Sequence, residues 1–508
     1  MIKKNKAKRA DFWILLATIL GSSLVFMDGT VVNVALPEIQ HNLNARTTTL
    51  QWVVEAYALT LTALLLVGGS LGDRFGRRRI FAVGIVIFSI ASLWCGISES
   101  IEQLIIARSV QGIGGALLVP GSLAIISGYF PEEERGKAIG VWSGFAAMTT
   151  ALGPVLGGWL VENISWRWAF YINLPFSVIV LFVLYWRVPE SKNEYAVKLD
   201  WIGALLVTLG LGSLIYGLIE SVNLGFSNNQ VIASLIFGML FLIGFIYSQS
   251  KITFPMMPLH LFESHNFSGA NLLTFWLYAA LGGALFFLPF NLIQVQGYTA
   301  TEAGASLLPL IFIIFILSRW AGNLVAKLGA KPPLVIGSLI CAVGYMLLAI
   351  PTVGGSYWQT FFIGITVLGF GMATVVAPLT TTVMNAVDQK YAGIASGINN
   401  AMSRAAGLIA IAVLGIILFN FFNIYLNEEL NKMSLPQHII EYIDIERNKF
   451  AGIELPKEIS EIYKLQIRES INFAYVTAFR WIMVVSAILS LLSACTAWLM
   501  IDNKKITN

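Results

Sequence analysis

Three ionisable side chains, Asp28, Glu55 and Arg108, each interrupt a long apolar run of this 508-residue chain. A charge at the centre of a bilayer costs roughly 2.5 to 3.5 kcal/mol on insertion scales, so such groups persist where they bind or pass ions. Two carboxyls and a guanidinium can take up, hold and release a proton. Desolvation favours the neutral acid and a nearby arginine favours the carboxylate, so opening or closing a cavity shifts the balance. The plainer alternative is a structural ion pair of Arg108 with Glu55 or Asp28. At helical spacing, Gln51, Glu55 and Thr62 share one face and Arg108, Gln111 and Gly115 another, as polar stripes along a water-filled cavity require.

A second cluster is the turn GSLGDRFGRRR from Gly69 to Arg79, which packs five charges between two apolar runs. Gly72 and Gly76 permit a tight backbone, Asp73 can cap a helix or pair with a guanidinium, and Arg74, Arg77, Arg78 and Arg79 place the turn on the cytoplasmic side. Asp73 with Arg77 reads as a latch of an inner gate. A third element, ALGPVLGGWL, carries Gly153, Pro154, Gly157 and Gly158. There a missing side chain and a missing backbone donor allow a bend and a close neighbour.

The elements that must hold these groups are membrane helices. The chain is 57% hydrophobic and 12% charged, with a mean hydropathy of +0.75, which describes a polytopic all-α membrane protein. Runs of about 20 apolar residues start near Phe12, Gln51, Ile80, Gln103, Ala138, Trp168, Trp201, Val231, Phe267, Ala305, Leu334, Thr360, Ile394 and Tyr475, giving fourteen spans. Lysine and arginine in the N-terminal tail and in alternate short loops put both termini in the cytoplasm. At 1.5 Å per residue, Asp28, Glu55 and Arg108 then lie about 6 to 15 Å deep in the outer half. The first run continues through VVNVALP with no small-residue cleavage site, so it is expected to be retained. The outer loop at 423–472 is the one long polar connection, and PKEISEIYKLQIRES within it has helical charge pairing.

Cys95, Cys341 and Cys495 sit in apolar runs without metal-ligand or disulfide spacing, so no metal or cofactor is expected. The net charge of +4 follows topology and requires no nucleic acid. No G-x-x-x-x-G-K-[ST] is present, which leaves an ion gradient as the energy source.

An internal repeat sets the architecture. At an offset of 253, Gly69, Leu71 and Gly76 fall on Gly322, Leu324 and Gly329, and Gly140, Ser143 and Gly144 on Gly393, Ser396 and Gly397. The expected layout is a six-helix bundle over 1–190, two inserted helices over 191–262 and a second bundle over 263–508. Asp28, Glu55 and Arg108 map onto Leu281, Leu308 and Phe361, which confines the charge to the first half. The second half offers Asn271, Phe275 and Asn400 as candidate cavity residues, beside Gln51, Thr62 and Gln111 in the first.

Six segments in order carry a resemblance: FMDGTVVNVALP, the arginine turn, RSVQGIGGALLVP, ALGPVLGGWL, WRWAFYINLP and ASGINNAMSRAAG. Together they resemble the fourteen-helix drug:proton antiporter family of the major facilitator superfamily, over essentially the whole chain. One departure is Thr149, where the antiporter motif has a glycine. The resemblance implies a bacterial cytoplasmic membrane, a small-molecule substrate exchanged for protons, a proton-transfer role for Arg108, and titratable roles for Asp28 and Glu55. It implies no enzyme activity. It leaves open an outer-membrane efflux partner, and whether the substrates are varied hydrophobic drugs or one metabolite.

Overall fold

The computed structural model describes residues 2–130, 132–192, 200–388, 391–433, 435–456 and 459–502. Within them, the side chains of 2–10, 66, 70, 73, 132–137, 139, 140, 143, 144, 146, 147, 151, 318, 319, 322–327, 392, 393 and 461 lie outside the description. Every regular element among the described residues is helical, as a chain in hydrocarbon requires when its backbone must satisfy its own hydrogen bonds.

The first half contains α1 (Ile2–Asn42), α2 (Thr47–Phe75), α3 (Arg77–Ile97), α4 (Ile101–Tyr129), α5 (Glu132–Asn163), the single turn α6 (Trp168–Tyr171) and α7 (Asn173–Arg187). Two further helices follow, α8 (Trp201–Leu224) and α9 (Asn229–Lys251). The second half contains α10 (His265–Phe290), α11 (Ala300–Ala305), α12 (Leu308–Leu328), α13 (Lys331–Leu348), α14 (Tyr357–Asn385), α15 (Ala392–Leu430), α16 (Gln437–Glu446) and α17 (Glu461–Met500). Among the described residues, twelve helical stretches are long and apolar enough to cross a membrane. Besides those twelve, α2 and α5 are long helices of 29 and 32 residues.

The repeat read from sequence is visible in the backbone. Both α2 and α12 stop one residue before a glycine of positive φ, Gly76 (110°) and Gly329 (83°), and these two glycines stand at the 253-residue offset. Each glycine turns the chain directly into the next long helix. At Gly76 a side chain would also meet the Glu190 carboxylate within 3.0 Å.

The chain divides into two compact units. Unit 1 comprises Met1–Ala35, Trp52–Ser213 and Phe237–Leu259. Its core, where α1, α3, α4 and α7 meet, includes the buried Ile14, Leu24, Phe81, Phe88, Leu118 and Val180. Asp200 caps α8 by accepting from the Gly203 amide at 2.7 Å and from Gln249 of α9 at 2.6 Å, which joins the two helices between the halves.

Unit 2 comprises Leu36–Gln51, Leu214–Ile236 and His260–Asn508. α15 and α17 have 39 and 40 residues, about 60 Å each against a hydrocarbon layer of about 30 Å, so both run well past the bilayer. The polar connection between them is therefore largely helix. Its turn Arg447–Gly452 packs Phe450 against Phe419, Phe422 and Tyr475. The same turn reaches the α1–α2 hairpin: Lys449 donates to Asn44 at 2.5 Å, and its carbonyl accepts from Gln40 at 3.4 Å.

Gly329→Ala is expected to cost about 1 to 2 kcal/mol, the penalty of a left-handed backbone for a residue with a Cβ. Gly76→Ala should cost more because of Glu190, and Gly29→Ala, which faces open space, should cost nothing. Thermal unfolding of the purified protein in detergent checks the order. A Gly76→Ala midpoint equal to that of Gly29→Ala would contradict the turn argument.

Candidate functional site

Asp28, Glu55 and Arg108 are all buried, none more than 1% exposed, but the structure treats the two acids differently. Asp28 on α1 faces Arg108 on α4, whose Nη1 donates to Oδ2 at 2.5 Å. Gln111, one turn further along α4, donates from Nε2 to Asp28 Oδ1 at 2.8 Å and accepts from Arg108 Nη1 at 2.6 Å. Asn173 at the start of α7 gives Oδ1 a further donor at 3.1 Å. Both amide nitrogens also donate to Ser92 Oγ on α3, at 2.8 and 3.2 Å. Donors from α4 and α7 thus converge on one carboxylate of α1, and Ser92 of α3 ties the two amides together.

The guanidinium is held as closely. Arg108 Nε donates to the Val53 carbonyl at 3.0 Å, and its plane lies 4.0 Å over the Tyr57 ring and 5.7 Å from Phe170. Tyr57 in turn donates to the Val25 carbonyl of α1 at 3.4 Å. A buried pair holds only when its remaining hydrogen-bonding capacity is satisfied, and here amides and aromatic faces supply that capacity. Glu55 differs: neither of its oxygens has a hydrogen-bond partner among the described residues.

The GPVLGG element of α5 packs onto α1 beside this cluster. Gly153, Pro154, Gly157 and Gly158 are all buried. A Cβ at Gly153 would overlap the Thr30 hydroxyl, and one at Gly157 would sit 3.0 Å from the Val31 carbonyl. The close approach is made two to three residues from Asp28 along α1.

At the arginine turn, Glu190, three residues past the end of α7, is the organising group. Its two oxygens accept the Arg78 and Arg79 amides at 3.0 and 3.2 Å, capping α3, and its carboxylate lies 3.8 and 3.6 Å from their Nε atoms. Arg77 N donates to the Ser191 carbonyl at 2.8 Å. Arg74 is exposed over Phe75, and Gly69 and Gly72 lie along the last turns of α2. The expected Asp73 to Arg77 latch involves the Asp73 side chain, which lies outside the described residues.

Of the cavity candidates, Gln111 belongs to the Asp28 cluster. Thr62 is buried, and Gln51 donates to the Ile411 carbonyl at 3.2 Å. Asn271 accepts from Asn399 at 3.2 Å, Phe275 stacks edge-on with Trp276, and Asn400 is exposed. Sequence reasoning missed Asn173, Ser92, Tyr57 and Glu190. WRWAFYINLP marks the first of these, although a motif alone does not say which of its residues reaches the acid.

The charge cluster is buried among long apolar helices in an all-helical fold. Residues 18–411 match the Major Facilitator Superfamily, to which the chain belongs. It is 34% identical over 442 residues to the Multidrug resistance protein Stp of Mycobacterium tuberculosis, covering 86% of this chain and 82% of the relative. To the Tetracenomycin C resistance and export protein of Streptomyces glaucescens it is 32% identical over 408 residues, covering 80% of this chain and 75% of that one. Among solved structures, a bacterial homolog of the human lysosomal transporter Spinster, inward-facing and occupied, superposes with a TM-score of 0.66 at 17% identity, covering 96% of each chain. That likeness speaks to the fold.

Arg108→Ala leaves Asp28 buried with its main partner gone and is expected to cost about 3 to 5 kcal/mol. Arg108→Met with Asp28→Leu should recover most of that loss, because an apolar pair of similar volume replaces the ions. Thermal unfolding in detergent checks both. A double variant no more stable than Arg108→Ala would contradict the pairing.

Proposed function

We propose that this chain is a proton-coupled exporter of hydrophobic small molecules, cationic ones included, in a bacterial cytoplasmic membrane, working by alternating access. The observation that carries the reading is the contrast between the two acids. Asp28 accepts from three side chains, and Glu55 from none among the described residues. A buried carboxylate without donors is costly, so Glu55 takes a proton when its site is closed and releases it when water enters. Asp28 and Arg108 stay a fixed pair beside it.

A proton crossing 100 mV supplies about 2.3 kcal/mol, and a tenfold concentration ratio costs about 1.4 kcal/mol. One proton exchanged for one neutral molecule therefore supports a gradient of about fiftyfold.

In this reading the protein belongs to the fourteen-helix antiporter branch, with α2 and α5 as spans beside the twelve. A bundle over 1–190, two inserted helices within 191–262 and a bundle over 263–508 form the transporter, with both termini cytoplasmic. The turn with Gly69, Gly72, Asp73, Arg74, Gly76, Arg77 and Arg78 is the inner gate. Gly153, Pro154, Gly157 and Gly158 limit leak, and Gln51, Thr62, Asn271, Phe275 and Asn400 contribute to substrate contact. Relatives named for multidrug resistance support broad drug export. A second reading, export of one compound, draws on relatives named for a single antibiotic, such as the tetracenomycin C protein.

Ethidium uptake into everted vesicles energised by respiration tests the proposal. The intact protein is expected to accumulate ethidium in an uncoupler-sensitive way, and Glu55→Gln to bind ethidium without accumulating it. Full uncoupler-sensitive accumulation by Glu55→Gln would sink the role of Glu55. No ethidium movement by the intact, inserted protein would favour the single-compound reading.

A further inference from the structure

The second half carries a polar cluster that proton coupling does not use. Asn271 and Thr274, neighbours on one face of α10, are buried. Asn399 of α15 donates from Nδ2 to Asn271 Oδ1 at 3.2 Å and to Thr274 Oγ1 at 2.7 Å. What each acceptor does elsewhere fixes the direction of these bonds. Asn271 Nδ2 donates to the Phe267 carbonyl at 2.9 Å, and the Thr274 hydroxyl to the Ala270 carbonyl at 2.8 Å, each one turn back along α10. Backbone carbonyls only accept, so Asn271 keeps its nitrogen and Thr274 its hydroxyl hydrogen on the helix, and both offer Asn399 lone pairs alone. Asn399 must therefore turn its amide nitrogen toward α10, which uses both N–H groups and directs Oδ1 away. No donor among the described residues reaches that oxygen.

Farther along α15, Ile411 and Gly415 lie against α2: Gln51 donates to the Ile411 carbonyl at 3.2 Å, and a Cβ at Gly415 would run into the same amide. Asn400 stands on this strip of α15 about three turns earlier, and there it is exposed. The strip is thus covered at one end and open where the half-buried Asn399 adjoins it. Resting on the export reading above, we propose that Asn399 is a specificity-determining residue. Its fixed oxygen accepts an N–H of the transported molecule, so the chain favours substrates with an amine or amide N–H over those of the same shape without one. Such a ligand pairs Oδ1 as water does, whereas an N-alkylated analogue leaves a half-buried acceptor unpaired. Asn271 and Thr274 act through Asn399 by holding its amide. Asn400 ties its nitrogen to the Ser396 carbonyl at 3.0 Å, and its exposed oxygen is satisfied by water without a ligand.

The test is equilibrium binding of a matched pair of planar cations to the full-length protein in detergent. Thionine carries amino N–H groups, and methylene blue is the same ring with every amino N–H replaced by N-methyl. Asn399→Leu is expected to weaken thionine binding roughly tenfold, the size of one hydrogen bond, and to leave methylene blue unchanged. Thr274→Val keeps the side-chain shape, frees the Asn399 amide to turn and should weaken thionine by less, which serves if Asn399→Leu does not fold. Equal weakening of both dyes, or no change in either, would overturn the role of Asn399. Binding needs no proton gradient, so this result stands apart from the ethidium test of Glu55. Failure of the intact protein to bind either dye would instead overturn the reading of broad export, and this role with it.

Discussion

The pair of Asp28 and Arg108 is the constraint on which the first half of the molecule depends. Two opposite charges buried to 1% exposure are tolerable when the carboxylate and the guanidinium are also hydrogen-bonded by their surroundings. Supplying those partners fixes where four helices can lie: α1 brings the acid, α4 the arginine and Gln111, α3 Ser92, and α7 Asn173. Tyr57 and Val53 of α2 close the other side of the guanidinium. α5 then packs on α1 through glycines, because the backbone next to Asp28 leaves no room for side chains.

Against that saturated pair, Glu55 stands out by what it lacks. Two carboxyls of nearly identical burial differ in donors, and donors decide which protonation state a buried acid can afford. In the proposed exporter, this contrast assigns the exchangeable proton to Glu55 and the paired position to Asp28.

Much of this was legible in the chain. The 253-residue repeat survives in the paired glycine turns at Gly76 and Gly329. Burial of Asp28, Glu55 and Arg108 follows from their place in apolar runs. Their ranking was not legible, since Arg108 could face either acid and only the crossing of α1 and α4 selects Asp28. Glu190 was hidden for a similar reason: it is distant in sequence from the arginines whose helix it caps. Asn173 lay in a recognised motif, but the motif alone does not say which of its residues points at the charge. Long-range pairings of this kind depend on how helices cross, which periodicity does not encode.

The measurement that bears most directly on the central claim is infrared difference spectroscopy of the protein in lipid bilayers during a pH step, following the carbonyl stretch of protonated carboxylic acids. The account predicts a band that rises on acidification, disappears in Glu55→Gln and persists in Asp28→Asn. A band that survives Glu55→Gln and vanishes in Asp28→Asn would contradict it and make the arginine-paired acid the proton carrier.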